Sequence, residues 1–125
     1  MSKYFDDIKK EFPEIIPFEE DDNILWENEG YKLLRSDNYK EAEIRFKKVL
    51  LAQPEHHAGY EALAYIYYYF NEYDKALWFM EKALEIAKGF FEDGSLDIEV
   101  LEDIEFNYNA IKKRDSIRKW WSKSK

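Results

Sequence analysis

The feature that most limits the fold of this chain is an internal repeat of 34 residues. When the sequence is shifted by that distance, Ile24–Pro54 aligns with Ala58–Lys88. Six aligned pairs are identical, and they are Glu27/Glu61, Tyr31/Tyr65, Tyr39/Tyr73, Ala42/Ala76, Lys48/Lys82 and Leu50/Leu84. A period of this length is typical of proteins in which one supersecondary unit stacks on the next. The repeat therefore predicts an array of similar units.

Each copy of the repeat is predicted to form two helices joined by a short polar turn. Apolar residues recur at helical spacing in the first half of each copy, and the turns are Ser36–Asn38 and Asn71-Glu72. Small residues stand where two helices must approach closely, and these are Gly30, Ala42, Ala64 and Ala76. Pro54 ends the first copy, because proline cannot continue a helix. With seven Gly and Pro in all, a turn-rich β fold is disfavoured.

These positions resemble the tetratricopeptide repeat (TPR), a helix–turn–helix unit. The resemblance is carried by Trp26, Gly30, Ala42, Phe46 and Pro54 in the first copy and by Tyr60, Ala64, Ala76, Met80 and Ala83 in the second. Glu29, Val49 and Lys88 depart from the family pattern. Because Lys88 replaces the closing proline, the last repeat helix is expected to run on. The resemblance covers residues 23–90 and implies an all-α fold of antiparallel helix–turn–helix repeats, a TPR-like α-solenoid.

The flanking segments are expected to cover the ends of the array, because about three units are usually needed for stability. The chain is predicted to be one domain, with a lead-in and short helix in residues 1–22, repeats at 23–56 and 57–90, and one long capping helix over 95–125. Within the lead-in, residues 13–23 are predicted to be extended and its acidic run to be solvated linker. Asp22 or Asn23 is the expected N-cap of the first repeat helix.

Charge is divided unevenly along the sequence. Residues 1–110 carry 12 Lys and Arg against 26 Asp and Glu, a net charge of −14, whereas residues 111–125 carry seven basic residues against Asp115, a net charge of +6. The acidic body should repel nucleic acid and anionic lipid. The basic end, with Trp120-Trp121, could bind a membrane or nucleic acid, or be a solvated helix terminus. Without a signal sequence, a membrane-spanning run or any cysteine, the chain is predicted to be cytoplasmic.

The TPR resemblance implies a concave groove, lined by the first helices of successive repeats, that holds extended peptides. The residues mapped to this groove are Glu27, Tyr31, Leu34, Arg35, Glu61, Tyr65, Tyr68 and Tyr69. Tyrosine offers a large contact area and carboxylates pair with Lys or Arg, so the predicted partner is basic or aromatic. One subclass of TPR proteins binds the C-terminal carboxylate of a peptide through Lys and Asn on the groove helices. In this chain Glu27 and Tyr31 occupy the corresponding positions. Alternatively, the tyrosines pack against flanking helices and the C-terminal helix fills the groove.

No catalytic motif or cofactor-binding motif is present, so the predicted function is a non-enzymatic protein–protein interaction module. The alternative is a self-assembling homo-oligomer that associates through the aromatic run Tyr65–Phe70 and Trp120-Trp121, since so aromatic a helix should leave part of its surface exposed. The pair His56-His57 is predicted to lie in a surface loop, with too few partners to bind a metal.

Overall fold

The structure, a computed structural model, describes residues 3–13 and 20–122, and within these ranges the chain is all-α. The helices are α1 (Lys3–Glu11), α2 (Glu20–Arg35), α3 (Tyr39–Ala52), α4 (His57–Tyr69), α5 (Tyr73–Glu92) and α6 (Ile98–Lys113), followed by a 3-10 turn at Trp120–Ser122. This confirms the predicted fold class. None of the described helices has an apolar stretch long enough to span a membrane.

The helices pack in chain order, as expected for stacked hairpins. Helices α2 and α3 form the first hairpin, α4 and α5 form the second, and α3 packs against α4 to join them. Helix α6 packs against α5 and so takes the place of the first helix of a third unit. Helix α1 lies against α3, and Ile8 from α1 is buried in the common core. Tyr4 of α1 also packs against Trp78 and Phe79 on α5, so α1 lies across the second helices of both hairpins.

The two hairpin turns are built alike, 34 residues apart. Asp37 and Asn71 have positive φ angles of 61° and 65°, in a region that Asp and Asn tolerate better than most residues. Their side chains accept hydrogen bonds from the hydroxyls of Tyr39 and Tyr73, at 3.2 and 2.9 Å. In both turns the next backbone N–H reaches back to a carbonyl five residues earlier, which is the Schellman pattern. The period of the sequence is therefore also the period of the turns.

The small residues of the repeat lie at close helix contacts. Ala42, Ala64 and Ala76 are completely buried. A methyl group added to Gly30 would lie 2.7 Å from the ring of Phe46, closer than side chains pack. These positions allow bulky neighbours to fill the space between the helices, which agrees with the packing predicted from the sequence.

The beginning of α2 differs from the sequence prediction. This helix starts at Glu20, so Asp22 and Asn23 lie inside it and neither is its N-cap. Of the acidic run that was predicted to be linker, Glu20, Asp21 and Asp22 lie within the helix. The rest of the predicted extended stretch, residues 14–19, lies outside the described residues. At the other boundary, α5 continues to Glu92, beyond Lys88, as expected.

The predicted long helix over 95–125 is wrong in its second half. Helix α6 ends at Lys113, and Arg114 follows with a positive φ of 61° that turns the chain away from the helix axis. Residues 115–119 form no helix, and the 3-10 turn completes the end of the described chain. We call residues 114–122 the C-terminal segment. Apolar spacing explains the early stop, because the next apolar residue, Ile117, lies six positions after Ile111.

Two identical substitutions at different glycines test this packing. A Cβ at Gly59 would lie 3.1 Å from the backbone of Leu50, whereas a Cβ at Gly89 has nothing within 4 Å. Gly89→Ala should raise the free energy of unfolding by about 0.5–1 kcal/mol, because glycine is a poor helix former. Gly59→Ala should lower it, because α3 and α4 must move apart. Urea unfolding measures both, and equal stabilisation by the two variants would contradict the α3–α4 contact.

Candidate functional site

The side of α2 and α4 to which the groove was mapped is covered by the chain itself. Helices α2, α4 and α6 all contact the C-terminal segment, and we call the sides that do so the inner face. The sequence left two alternatives, a groove open to a partner and a groove filled by the C-terminal helix. In the described residues, the C-terminal region covers this surface. It does so as a non-helical segment, whereas a helix was predicted.

Asn107 on α6 holds the middle of the C-terminal segment by its backbone. Its side chain is completely buried. The amide Nδ2 donates to the carbonyl oxygen of Arg118 at 3.1 Å, and the backbone N–H of Arg118 donates to Oδ1 of Asn107 at 2.6 Å. A side-chain amide that bonds both the N–H and the carbonyl of one residue binds the backbone of that residue, whatever side chain the residue carries.

Two predicted groove residues hold the ends of the same segment. The hydroxyl of Tyr68 on α4 donates to the carbonyl oxygen of Asp115 at 2.5 Å. Nη1 of Arg35 on α2 donates to the carbonyl oxygen of Trp121 at 3.2 Å. Three helices thus bind the main chain of the segment at three successive points.

Aromatic contacts anchor the far end of the segment. The ring of Tyr65 meets Trp121 edge-on at a centroid distance of 5.2 Å and Trp120 at 6.2 Å. Trp121 is only 8% exposed. Tyr31 packs edge-on against Phe46 at 5.0 Å and lies beside the Trp120 side chain. Burial, reinforced by the nearby carboxylate of Glu61, raises the pKa of Tyr31 well above its ordinary value, so this hydroxyl stays protonated.

The structure does not bring every predicted groove residue to the C-terminal segment. Leu34 is completely buried in the core, because its side of α2 faces α3. Tyr69 stacks on Tyr39 at 4.0 Å and remains 57% exposed. In the aromatic run, Tyr65, Ile66 and Tyr67 are buried, so much less of this surface is available for self-association than the sequence suggested.

An acidic cavity of about 310 Å³ lies beside Trp120. Its ionisable and aromatic lining residues are Glu27, Tyr31, His56, His57, Glu61, Glu99, Asp103 and Trp120. We call it the acidic cavity, because it brings together four carboxyl groups from α2, α4 and α6. Asp103 forms an ion pair with Arg118 at 2.9 Å. In the described part of the chain, no three His, Asp or Glu side chains are arranged to hold a metal ion.

The histidine pair and Glu61 are placed differently from the prediction. His56 caps α4, since its Nδ1 accepts from the backbone N–H of Ala58 at 3.3 Å. His57 is the first residue of α4 and is buried, so the surface-loop prediction is wrong for it. Glu61 is 3% exposed, with its carboxylate 3.4 Å from Nδ1 of His57. Burial raises the pKa of Glu61 and of Glu27, and the nearby His57 opposes both shifts.

Comparison of the chain with family models, with curated proteins and with solved structures finds no match in any of the three. The functional interpretation of the inner face therefore depends on its geometry and chemistry.

Asn107 is the contact residue that the sequence analysis missed. The signal was available, because Asn107 lies three residues after Ile104 and four before Ile111, on the apolar stripe of α6. A polar residue at a core position of a helix is usually there to satisfy buried hydrogen-bonding groups.

Replacing Asn107 should release the C-terminal segment. Asn107→Ala leaves the N–H and carbonyl of Arg118 without their partner, which should cost about 1–3 kcal/mol of unfolding free energy. Acrylamide quenching of tryptophan fluorescence should increase as Trp120 and Trp121 become accessible. The matched control is Asn109→Ala, on the exposed side of the same helix. Equal quenching in both variants would show that Asn107 does not hold the segment.

Glu61 predicts a pH dependence of stability. Because its pKa is raised in the folded chain, the folded state binds the proton more tightly, and stability falls as pH rises from the unfolded value near 4.5 through the folded pKa. Glu61→Gln should therefore be more stable than the wild type at pH 7, by about 1.4 kcal/mol for each unit of pKa shift. The advantage should shrink towards pH 4.5. Thermal unfolding across this range measures it, and a pH-independent difference would contradict the burial of the ionised carboxylate.

Proposed function

We propose that this chain is a non-enzymatic protein-interaction module whose inner face binds an extended segment of a partner protein. The observation that carries the proposal is the pair of hydrogen bonds between buried Asn107 and the backbone of Arg118. Main-chain hydrogen bonds supply affinity in peptide recognition, and pockets for side chains supply specificity. The inner face combines both, with the chain's own C-terminal segment as its ligand. A cytoplasmic location stays a prediction.

The chemistry of the bound segment indicates the class of partner. Arg118 forms an ion pair with Asp103, and its guanidinium lies 4.0 Å from the ring centroid of Phe106. Two residues later the aromatic pair Trp120-Trp121 packs around Tyr65. The corresponding partner sequence has a basic residue followed within two or three positions by aromatic residues. The acidic charge of residues 1–110 favours the same class, because it attracts basic segments.

The C-terminal segment acts as an intramolecular competitor in this proposal. A ligand that is tethered by a short connection has an effective concentration in the millimolar range. A partner must therefore displace it, and its own affinity must exceed that of the segment for the inner face.

Self-assembly is the second candidate, and one observation favours it. The segment makes its backbone contacts after the reversal at Arg114, so the segment of one copy could make the same contacts on a second copy. The burial of Tyr65 and Tyr67 in a single chain removes part of the original argument for association through aromatic surfaces.

A peptide-binding experiment tests the main proposal. A fluorescent peptide with the sequence of residues 115–125 should bind a chain truncated after Arg114. It should bind the full chain at least about tenfold more weakly, because the tethered segment competes for the inner face. The control peptide carries alanine at the positions of Trp120 and Trp121. Light scattering of the full chain over a range of concentrations tests the exchange of segments between copies.

Circular dichroism decides how a negative result is interpreted. A truncated chain that remains helical but binds no peptide would overturn the proposal. If truncation instead reduces helicity, the peptide should restore it when added separately, and failure to do so would count against the inner face as a binding site.

A further inference from the structure

Arg118 of the C-terminal segment is held by its backbone and by its side chain, and a single helix provides both sets of contacts. Asn107 binds the N–H and the carbonyl of Arg118 at 2.6 and 3.1 Å. Nη1 of Arg118 donates to Oδ1 of Asp103 at 2.9 Å, and the guanidinium carbon lies 4.0 Å from the ring centroid of Phe106. The three partners stand at positions i, i+3 and i+4 of α6, which share one face of a helix.

The two side-chain contacts suit a guanidinium group better than an ammonium group. A planar guanidinium can lie over a ring while the N–H groups at its edge donate to a carboxylate, and it is more weakly hydrated than an ammonium. Lysine carries its charge on one strongly hydrated nitrogen, and that single atom would have to serve both Asp103 and Phe106. The geometry around Arg118 therefore favours arginine over lysine at this position.

The exposure of the groups shows which contact supplies the preference. The side chain of Arg118 is half exposed, so its ion pair with Asp103 contributes little by itself. Asp103 also lines the acidic cavity, whose other carboxyl groups attract either basic residue. The ring of Phe106 is the contact that distinguishes the two. It is 43% exposed and lies outside the buried core, so its removal should not unfold the chain.

We propose that Asp103, Phe106 and Asn107 form a recognition site for one arginine residue of the partner segment, and that this site selects arginine over lysine. We call it the arginine site. The proposal rests on the proposed function for the ligand, because the chain's own Arg118 occupies the site in this structure. When the C-terminal segment is displaced, Arg118 and its neighbours leave, whereas the three site residues belong to α6. The arginine of a partner therefore enters a site that is already formed.

The arginine site also fixes the register of the partner. Asn107 binds the backbone of the same residue whose side chain reaches the other two site residues, so one arginine must lie at this point. The aromatic residues that pack around Tyr65 then follow it at the spacing of Trp120-Trp121, two and three positions later. The partner sequence is thus arginine, any residue, and two aromatic residues.

Three peptides that bind in competition with the tethered segment test the proposal on the full chain. They have the sequence of residues 115–125, either unchanged, with Arg118→Lys, or with Lys119→Arg as the control of equal charge. Fluorescence anisotropy gives their apparent dissociation constants. Because all three compete with the same segment, the ratio of the apparent constants equals the ratio of the intrinsic ones. Arg118→Lys should weaken binding at least about threefold, and Lys119→Arg should leave it unchanged.

A variant of the chain tests the role of the ring. In Phe106→Ala, the unchanged peptide and the Arg118→Lys peptide should bind with equal affinity, because the contact that distinguishes them is gone. The matched control is Phe91→Ala on α5, which removes a phenylalanine of similar exposure, 39%, and should preserve the preference for arginine.

The outcomes separate this proposal from the proposed function. Equal affinities of the arginine and lysine peptides for the full chain would overturn the arginine site, and so would a preference that survives Phe106→Ala. If none of the peptides binds, the proposed function fails, and the same substitutions within the full chain then decide. Arg118→Lys should increase acrylamide quenching of Trp120 and Trp121, which would support the site as an intramolecular contact. Equal quenching in Arg118→Lys and Lys119→Arg would overturn it.

Discussion

Two helical hairpins stacked side by side leave the aromatic side chains of their first helices without a partner on one side. In this chain Tyr31 and Tyr65 stand at that surface, and the C-terminal segment covers them with Trp120 and Trp121. Aromatic burial alone would leave the backbone of the segment unsatisfied. Asn107, Tyr68 and Arg35 provide hydrogen bonds to that backbone.

Much of the fold could be predicted because it depends on local and periodic features. The 34-residue period, the small residues at Ala42 and Ala76, and the polar turns around Asp37 and Asn71 are all visible in the sequence, and each has a direct structural role. The end of α6 was not predicted, because the basic residues after Ile111 suit a helix terminus by charge and conceal the loss of apolar spacing. The decisive contacts there join residues that are far apart in the sequence.

The candidate site was predicted in part, because several of its residues follow the same 34-residue period. The periodic pattern placed Glu27, Tyr31 and Tyr65 near one another, and the structure brings all three to the inner face or its cavity. The depth of Glu61 was missed, since a glutamate on a helix is usually solvated, and its burial follows from packing against neighbouring helices and His57. The approach of His57 Nδ1 to within 3.4 Å of the Glu61 carboxylate can be identified only once the surrounding side chains are placed.

The reversal at Arg114 has a consequence for the affinity of any ligand of the inner face. The reversal itself completes the terminal hydrogen bonds of helix α6, with the N–H of Asp115 bonded to the carbonyl of Ala110 at 2.8 Å. Detachment of the residues beyond that point is therefore a local opening that leaves the helix intact. For a ligand that uses the inner face, the apparent dissociation constant is the intrinsic one divided by the open fraction. The free energy needed to open the C-terminal segment then sets the lowest affinity or concentration at which a ligand can bind. Substitutions in the segment can change this free energy without altering the helices.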